Sequence, residues 1–433
     1  TFILDGEKQP HTLFELIKKT SAQNPNLIVS AYKDNCAFIK GPADHRFFVP
    51  KFPDRPGNFR IVRNDTVISL KAETHNFPTT IEPFNGAATG SGGEIRDRIA
   101  GGKAAFPIAG TAVYMTSYPR IGSGLQREQA REWLYHSPED ILTKASDGAS
   151  DFGNKFGQPL ICGSLLCFEH IGSAHRFGYD KVIMLAGGIG FARLKDALKE
   201  KPRKGDKIVL LGGDNYRIGM GGGAVSSVDT GQYGHVIELN AVQRSNPEMQ
   251  KRVYNAIRAL AENDVNPVIS IHDHGAGGHL NCLSELVDEA GGKVDIDQLP
   301  LGDPTLSAKE IIGNESQERM GLVMAPADIP LLQDIAARER APMYVIGEIT
   351  GDGRFTFESS RTGEKAIDLA LKDMFGSVPR TLMEDVTDDP VFESFSCEQD
   401  NAALKDYAEK VMQLESVACK DWLTNKVDRS VTG

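Results

Sequence analysis

Two carboxylates, an imidazole and an amide stand close together in "LKAETHNFPTTIEPFNGAATGSGGEIRD", residues 70–97. Glu73, His75 and Asn76 follow an apolar run that reads as a strand, and a strand end is a rigid place from which to project a reactive group. Beyond it, Gly86, Ala87, Ala88, Thr89, Gly90, Ser91, Gly92 and Gly93 are nearly free of side chains. They are expected to form a loop whose backbone N–H groups approach an anion closely. The stretch closes on Glu94, Arg96 and Asp97. Glu73 and Asp97 are hard oxygen ligands of the kind that magnesium takes together with phosphate oxygens and water. Lys71 and Arg96 supply countercharge for a phosphate, Arg96 as a two-pronged fork. The chemistry implied is that of a nucleotide–magnesium site. It is not a P-loop, because no G-K-[ST] follows, and not a dinucleotide fingerprint, because no G-x-G-x-x-G opens a helix here.

Three further clusters carry reactive groups. In "SIHDHGAGG", residues 270–278, Asp273 at a strand end before glycines reads as another magnesium ligand. No partner spacing supports zinc; if the strand continues, His272 and His274 lie on the side opposite to Asp273's face, and both read as ordinary hydrogen-bonding residues. "NESQERMG", residues 314–321, offers Glu315, Ser316 and Gln317, suited either to sugar hydroxyls and an amide substrate or to a solvated loop. "LGGDNYRIGMGGG", residues 211–223, is open between a second phosphate site and a tight turn.

The elements that must position these groups alternate between strand and helix patterns. "VISLKAETH", "GTAVYMTSYP" and "KVIMLAGGIG" read as strands, the last running into a glycine turn. "HSPEDILTKASDGASDFGNKFG" reads as a helix with Ser137 as N-cap and Pro138 at its first position. "GDKIVLLGG", "NPVISIHDH" and "APMYVIGEIT" read as strands of a second unit. Its helix "NPEMQKRVYNAIRALAEN" sets Val253, Ile257 and Leu260 on one face. "TLFELIKKTSAQN" has helical spacing near the start. The class is α/β or α+β. The expected organisation is 1–190, 191–375 and an acidic, helical connector over 376–433.

Composition sets the bounds. At 433 residues the chain is too long for one core, and its 40% hydrophobic and 25% charged content suits a globular protein. A net charge of −11 argues against a nucleic-acid surface. Six cysteines without a C-x-x-C pair fit a reduced, cytoplasmic setting. No signal-peptide pattern follows Thr1, and "DRSVTG" at the far end reads as a strand cut short, so a piece of a longer polypeptide is expected.

"KAETHNFPT", "GAATGSGGEIRD", "AGGIG", "HDHGAGG" and "NESQERM", in this order, resemble phosphoribosylformylglycinamidine synthase in its large multidomain form, as the first half of the synthetase core. The resemblance implies a fold of the aminoimidazole ribonucleotide synthetase type, with an N-terminal half-barrel that pairs with a counterpart and a C-terminal α/β layer. It implies a ligase that phosphorylates the amide oxygen of formylglycinamide ribonucleotide with ATP and displaces phosphate with glutamine-derived ammonia. On that resemblance Lys71 and, in "SAYKDN", Tyr32 lie near ATP, and Glu73, Asp97 and Asp273 hold Mg2+. His75 is the acid–base residue, while Thr74, Asn76, Phe77, Arg96, Gln243, Glu315, Ser316 and Gln317 contact substrate. The implied partners are the second half of the core and a glutaminase domain. Many members carry a second histidine where this chain has Phe77, an upstream histidine motif is missing, and no glutaminase cysteine is visible. Two alternatives stay open: another ATP-dependent enzyme of the same superfamily, and a non-catalytic nucleotide-binding half.

Overall fold

The computed structural model describes residues 1–425 except 123–129, 131, 173–174, 289, 317, 377–378, 389–393, 395 and 398–399. Two sheets organise the chain. The first contains β1 (Ile28–Ser30), β2 (Ala37–Lys40), β3 (Thr66–Thr74), β4 (Phe106–Thr116), β5 (Leu160–Cys167) and β6 (Ile183–Arg193), in the order β1-β2-β3-β6-β4-β5. All neighbours are antiparallel except β4 and β5. The second contains β7 (Lys207–Gly212), β8 (Val268–Asp273), β9 (Gly292–Asp295), β10 (Arg319–Met324), β11 (Met343–Ile349), β12 (Arg354–Glu358) and β13 (Lys365–Ala370), in the order β8-β10-β7-β11-β9-β12-β13. Only β9 and β12 pair in parallel. The class is therefore α+β with mixed sheets.

The principal helices are α1 (Asn76–Ile81), α2 (Pro83–Ile99), α3 (Pro138–Phe156), α4 (Gly222–Ser226), α5 (Pro247–Ala261), α6 (Gly278–Leu286) and α7 (Ile329–Glu339). Ser137 caps α3 by accepting from the Asp140 N–H, with Pro138 in the first turn, as the sequence predicts. The apolar stripe of α5 is likewise where its spacing puts it, with Val253, Ile257 and Leu260 buried.

One core joins the two sheets. Ile95 and Ile99 of α2 and Phe152 and Phe156 of α3 pack with Val253 and Ile257 of α5, Leu332 and Ile335 of α7, and the β7, β8 and β10 residues Val209, Ile271 and Leu322. The far face of the second sheet is covered by α6, through Cys282, Leu283 and Leu286. The far face of the first sheet is open. Leu70 of β3 pairs in register with Ile189 of β6, and both are exposed, as are Ile108 of β4 and Ile161 and Leu166 of β5.

Two expectations are corrected, at "AGGIG" and in the connector, and the first helix forms as expected. "AGGIG" is not a turn: β6 runs straight through Gly187, Gly188 and Gly190 to Arg193, held between β3 and β4. The helix Leu13–Gln23 forms on a Thr12–Glu15 capping box, yet none of its residues is buried. The connector is not purely helical, because Met383–Asp385 pairs in parallel with Phe2–Leu4, ahead of the helix Asn401–Met412. "DRSVTG" lies outside the described residues.

Candidate functional site

The first sheet and the second open onto one cleft of about 1050 Å³. The β3 strand carries Lys71 and Glu73 to its rim and ends at Thr74, which is exposed. His75 then starts the turn into α1, its backbone N–H donating to the Met184 carbonyl at 2.9 Å. Asn76 is fixed by its side-chain carbonyl, which accepts from the Met184 N–H at 3.0 Å. These two bonds tie the reactive turn to β6, so its position follows from the sheet.

A row of alternating acceptors and donors crosses the floor. The Lys71 ammonium lies 3.2 Å from Glu73 and 2.9 Å from Asp97. Asn35 Nδ2 donates to Asp97 Oδ1 at 3.1 Å and to Asp273 Oδ1 at 2.9 Å. Lys199 donates to Asn35 Oδ1 at 2.9 Å and pairs with Asp34 at 2.6 Å. Asp97 from α2 and Asp273 from the end of β8 thus meet although 176 positions separate them in the sequence (273 − 97).

Burial, and then the neighbouring Asp273 carboxylate, push Asp97 up to about 6. Burial and Asp97 raise Glu73 as well. Burial opposes the charge on Lys71, but Asp97 and Glu73 outweigh it and hold its pKa above the ordinary lysine value. A buried carboxylate raised by a second one across a shared donor is what a cation would relieve. Among the described residues no group of three or more His, Cys, Asp or Glu is arranged to hold a metal by itself. Magnesium commonly takes one or two carboxylates and completes its shell with phosphate oxygens and water, so the Asp97–Asp273 pair fits a nucleotide-bound ion.

His75 Nδ1 bonds the Gly86 carbonyl, and a carbonyl only accepts, so Nδ1 carries the proton and Nε2 is left as a lone-pair acceptor. Burial lowers its pKa below the ordinary histidine value, which keeps the ring neutral. The site therefore holds a neutral imidazole with Nε2 as its acceptor, in the cleft that Lys71, Asp97 and Asp273 also line.

The glycine-rich stretch departs from expectation. Residues 86–93 are not a loop but the interior of α2, and Gly86, Ala87, Ala88, Thr89, Gly90, Ser91 and Gly92 are buried. Backbone N–H groups in a helix interior are already bonded, so they form no anion cradle. The glycines serve close packing instead: a Cβ on Gly86 would sit 2.3 Å from the Pro78 backbone, and one on Gly90 would sit 2.9 Å from His75 Cβ. Of the eight, Thr89 and Gly93 reach the cleft.

The remaining expected residues divide. Tyr32, in the loop between β1 and β2, lines the cleft and is 56% exposed. Arg96 lines it too, but its Nη1 is committed to Glu318 and to Gln250 Oε1. Gln243 donates to Glu315 Oε2 at 2.7 Å, and Gly277 N–H donates to Glu315 Oε1 at 3.0 Å, which sets that carboxylate at the cleft wall. Phe77 is 2% exposed and packs with Ile81, Val225 and Val242, although its edge reaches the cleft. Ser316 turns away: its hydroxyl bonds the backbone of Tyr216 and does not line the cleft. Gln317 lies outside the described residues. His272 faces the cleft and pairs with Glu285 at 2.6 Å, while His274, just past the end of β8, enters the interior and meets His279. Burial opposes the charge on His272, but hydrogen bonds with Cys282 and Glu285 carry its pKa well above the ordinary value. Asn35 and Lys199 escape the sequence reading. Their only signal is a polar "YKDN" between two short strands and a lysine-rich "KEKPRK" after β6.

Residues 203–359 match the model of the AIR synthase related protein, C-terminal domain. Among solved structures, Thermotoga maritima PurL complexed with ATP is 26% identical, covers 83% of this chain and 53% of its own, and has a TM-score of 0.57. The same protein complexed with FGAR is 22% identical over 91% and 57%, with a TM-score of 0.57. Phosphoribosylformylglycinamidine synthase II of that organism is 23% identical over 92% and 58%, with a TM-score of 0.56. The last two show the fold. The chain spans slightly more than half the length of the structures it matches. The motif resemblance to this family of synthases is borne out, and so is the AIR synthase-like fold.

Proposed function

We propose that this chain is one half of the synthetase core of a phosphoribosylformylglycinamidine synthase. In this reading it converts formylglycinamide ribonucleotide to the amidine with ATP, Mg2+ and glutamine-derived ammonia. The observation that carries the reading is the shared cleft: Lys71, Glu73, His75 and Asp97 from the first sheet face Asp273, Gln243 and Glu315 from the second. Its division of labour follows, with nucleotide and proton chemistry on residues up to about 190, substrate loops over 191–375, and 376–433 as the link onward. The end of β6 at Arg193 supports a boundary near residue 190.

The chemistry follows from the donors present. An amide oxygen is a poor leaving group; bound ATP supplies the phosphoryl group that makes it a good one. Phosphoryl transfer depends mainly on positioning and on neutralising charge. Lys71 offers an ammonium that stays charged, and Asp97 and Asp273 would hold the metal, with Glu73 across Lys71. His75 Nε2 takes a proton from the attacking ammonia, and the Gly86 carbonyl keeps the ring oriented while it does so. On the far wall Glu315, an acceptor-only carboxylate, suits the hydroxyl and amide donors of the ribonucleotide.

The open face of the first sheet supports the expected partner. Leu70, Ile108, Ile161, Leu166 and Ile189 present an apolar surface of the kind that marks a protein interface. The second synthetase half would cover it and close the barrel. Ile189→Asp should leave the chain folded and abolish co-elution with that half in size-exclusion chromatography; undiminished co-elution refutes this placement. A glutaminase would supply ammonia, and a cytoplasmic setting suits such a pathway. No helix among the described residues is long and apolar enough to cross a membrane.

The deciding assay measures ATP hydrolysis by the assembled core with formylglycinamide ribonucleotide and ammonia. Stimulation by both is expected. Stimulation by a different phosphate acceptor would transfer the chain to a sibling enzyme of the superfamily.

A further inference from the structure

Three loops at one end of the second sheet meet in a buried polar knot that the chemistry above leaves without a task. They follow β7, follow β8 and precede β10, three adjacent strands. Arg319 lies at the centre with no exposure, and Asn215, His279 and Asn314 around it have none either. Arg319 Nη1 donates to Asn215 Oδ1 and lies 2.8 Å from His279 Nε2, while Nη2 donates to the Asn314 carbonyl at 3.0 Å. Asn215 Oδ1 also accepts from Asn314 Nδ2 at 2.8 Å. His279 Nδ1 lies 3.0 Å from His274 Nε2. Burial, and then the charge of Arg319, hold both imidazoles well below the ordinary histidine pKa, so Arg319 is the cation of the group. Gly278, at φ +60°, lets the loops approach closely, since a Cβ there would meet the Asn314 carbonyl at 2.2 Å.

Glu315 sits between two anchored residues. Asn314 is held by Arg319, and Ser316 Oγ both accepts from Tyr216 N–H at 2.9 Å and donates to the Tyr216 carbonyl at 3.1 Å. The Glu315 backbone N–H donates to the Ile218 carbonyl at 3.0 Å. An apolar cluster would fill the space of the knot at less desolvation cost than a guanidinium. What the polar network adds is a single register between the loops, fixed through both Nη atoms of Arg319 although Arg319 Nε and His274 Nδ1 have no partner among the described residues.

We propose that Arg319, with His279 and Asn314, is a positioning residue that aims the Glu315 carboxylate into the cleft for the ribonucleotide substrate and not for ATP. The inference rests on the function proposed above. A carboxylate accepts from hydroxyl and amide donors and repels a triphosphate, whose place is beside Lys71 and Lys199 across the cleft. With the triphosphate assigned to the lysine-lined side of the cleft, Glu315 is left to the donors of the ribonucleotide, and loss of its aim should be felt by that substrate.

The test uses Arg319→Lys and His279→Gln in the assembled enzyme, with KM for formylglycinamide ribonucleotide and for ATP measured separately and thermal melts recorded. Lysine keeps the charge but loses the fork that reaches Asn215 and Asn314 together. The expected result is a KM for the ribonucleotide raised roughly tenfold to a hundredfold, the scale of a small misplacement of a contact, with KM for ATP unchanged. An unchanged KM for the ribonucleotide, or an equal rise in both constants, overturns the proposal. His279→Gln, which removes no charge, decides between these outcomes should Arg319→Lys fail to fold. Absence of ribonucleotide-dependent turnover in the unsubstituted enzyme refutes the function itself, and the role of Glu315 with it.

Discussion

The two walls of the cleft are built in opposite ways. The first-sheet wall is a strand end pressed against a helix, with Gly86 and Gly90 letting α2 close onto Pro78 and His75. The second-sheet wall is made of loops, and its glycines lie in turns: Gly219, Gly221, Gly277 and Gly278 all have positive φ. Glycine-rich composition is common to both, yet in one it allows close packing and in the other it allows a backbone turn. A wall of packed helix and strand is rigid through its packing; a wall of loops depends on polar bonds between them, such as those of Arg319 and Ser316, to hold its side chains in place.

Substitutions that respect or violate this difference test it. The largest effect is expected at His75. His75→Ala should lower kcat roughly a hundredfold or more, the usual scale for an acid–base residue, with the melting temperature retained. Unchanged turnover would leave the first wall a structural one and favour a non-catalytic half.

Next comes the packing itself. Gly86→Ala forces a methyl against the Pro78 backbone, which cannot swing away, and should cost about 1–3 kcal/mol of stability by chemical denaturation. A smaller, pH-dependent effect is expected at Asp97. Its carboxyl is raised from 3.8 to about 6 in the fold, so the folded chain holds that proton more tightly than the unfolded one. The associated stability is complete below about pH 4 and is lost as the pH rises through 6. Asp97→Asn should therefore raise the melting temperature at about pH 7.5, by a few degrees, and match the unsubstituted chain near pH 4. An equal shift at both pH values would show that the carboxylates are not straining each other. The smallest effect is expected at Gly223, which lies in the short helix α4 on the second wall: Gly223→Ala meets nothing closer than Ala276 Cβ at 3.9 Å, so its stability should be nearly unchanged. If it destabilises as much as Gly86→Ala, the contrast between the walls is wrong.

How far the site is legible in the sequence depends on what each residue needs from its neighbours along the chain. His75 and Glu73 are readable because a strand end declares itself through local alternation. The Ser137 cap and the α5 stripe are readable for the same reason, since caps and 3.6-residue spacing are local. The stretch 86–93 misleads because its four glycines, with Thr89 and Ser91, lower helix propensity, and burial between β3, β4 and α3 overrides that preference. Asn35 and Lys199 stay hidden because their importance lies in meeting Asp97 and Asp273, a contact that no local pattern announces.

By itself the amino-acid order determined the class, most strands and helices, and a set of motifs whose residue types suit phosphate, metal and proton transfer. Each of these is set by interactions within a few residues. The tertiary structure alone decided which motifs share a cleft, that the glycines of α2 pack instead of binding, and that Ser316 turns inward while Glu315 faces out. Those outcomes depend on close packing between distant segments, where a single Cβ at 2.3 Å or an amide shared by two carboxylates settles the arrangement.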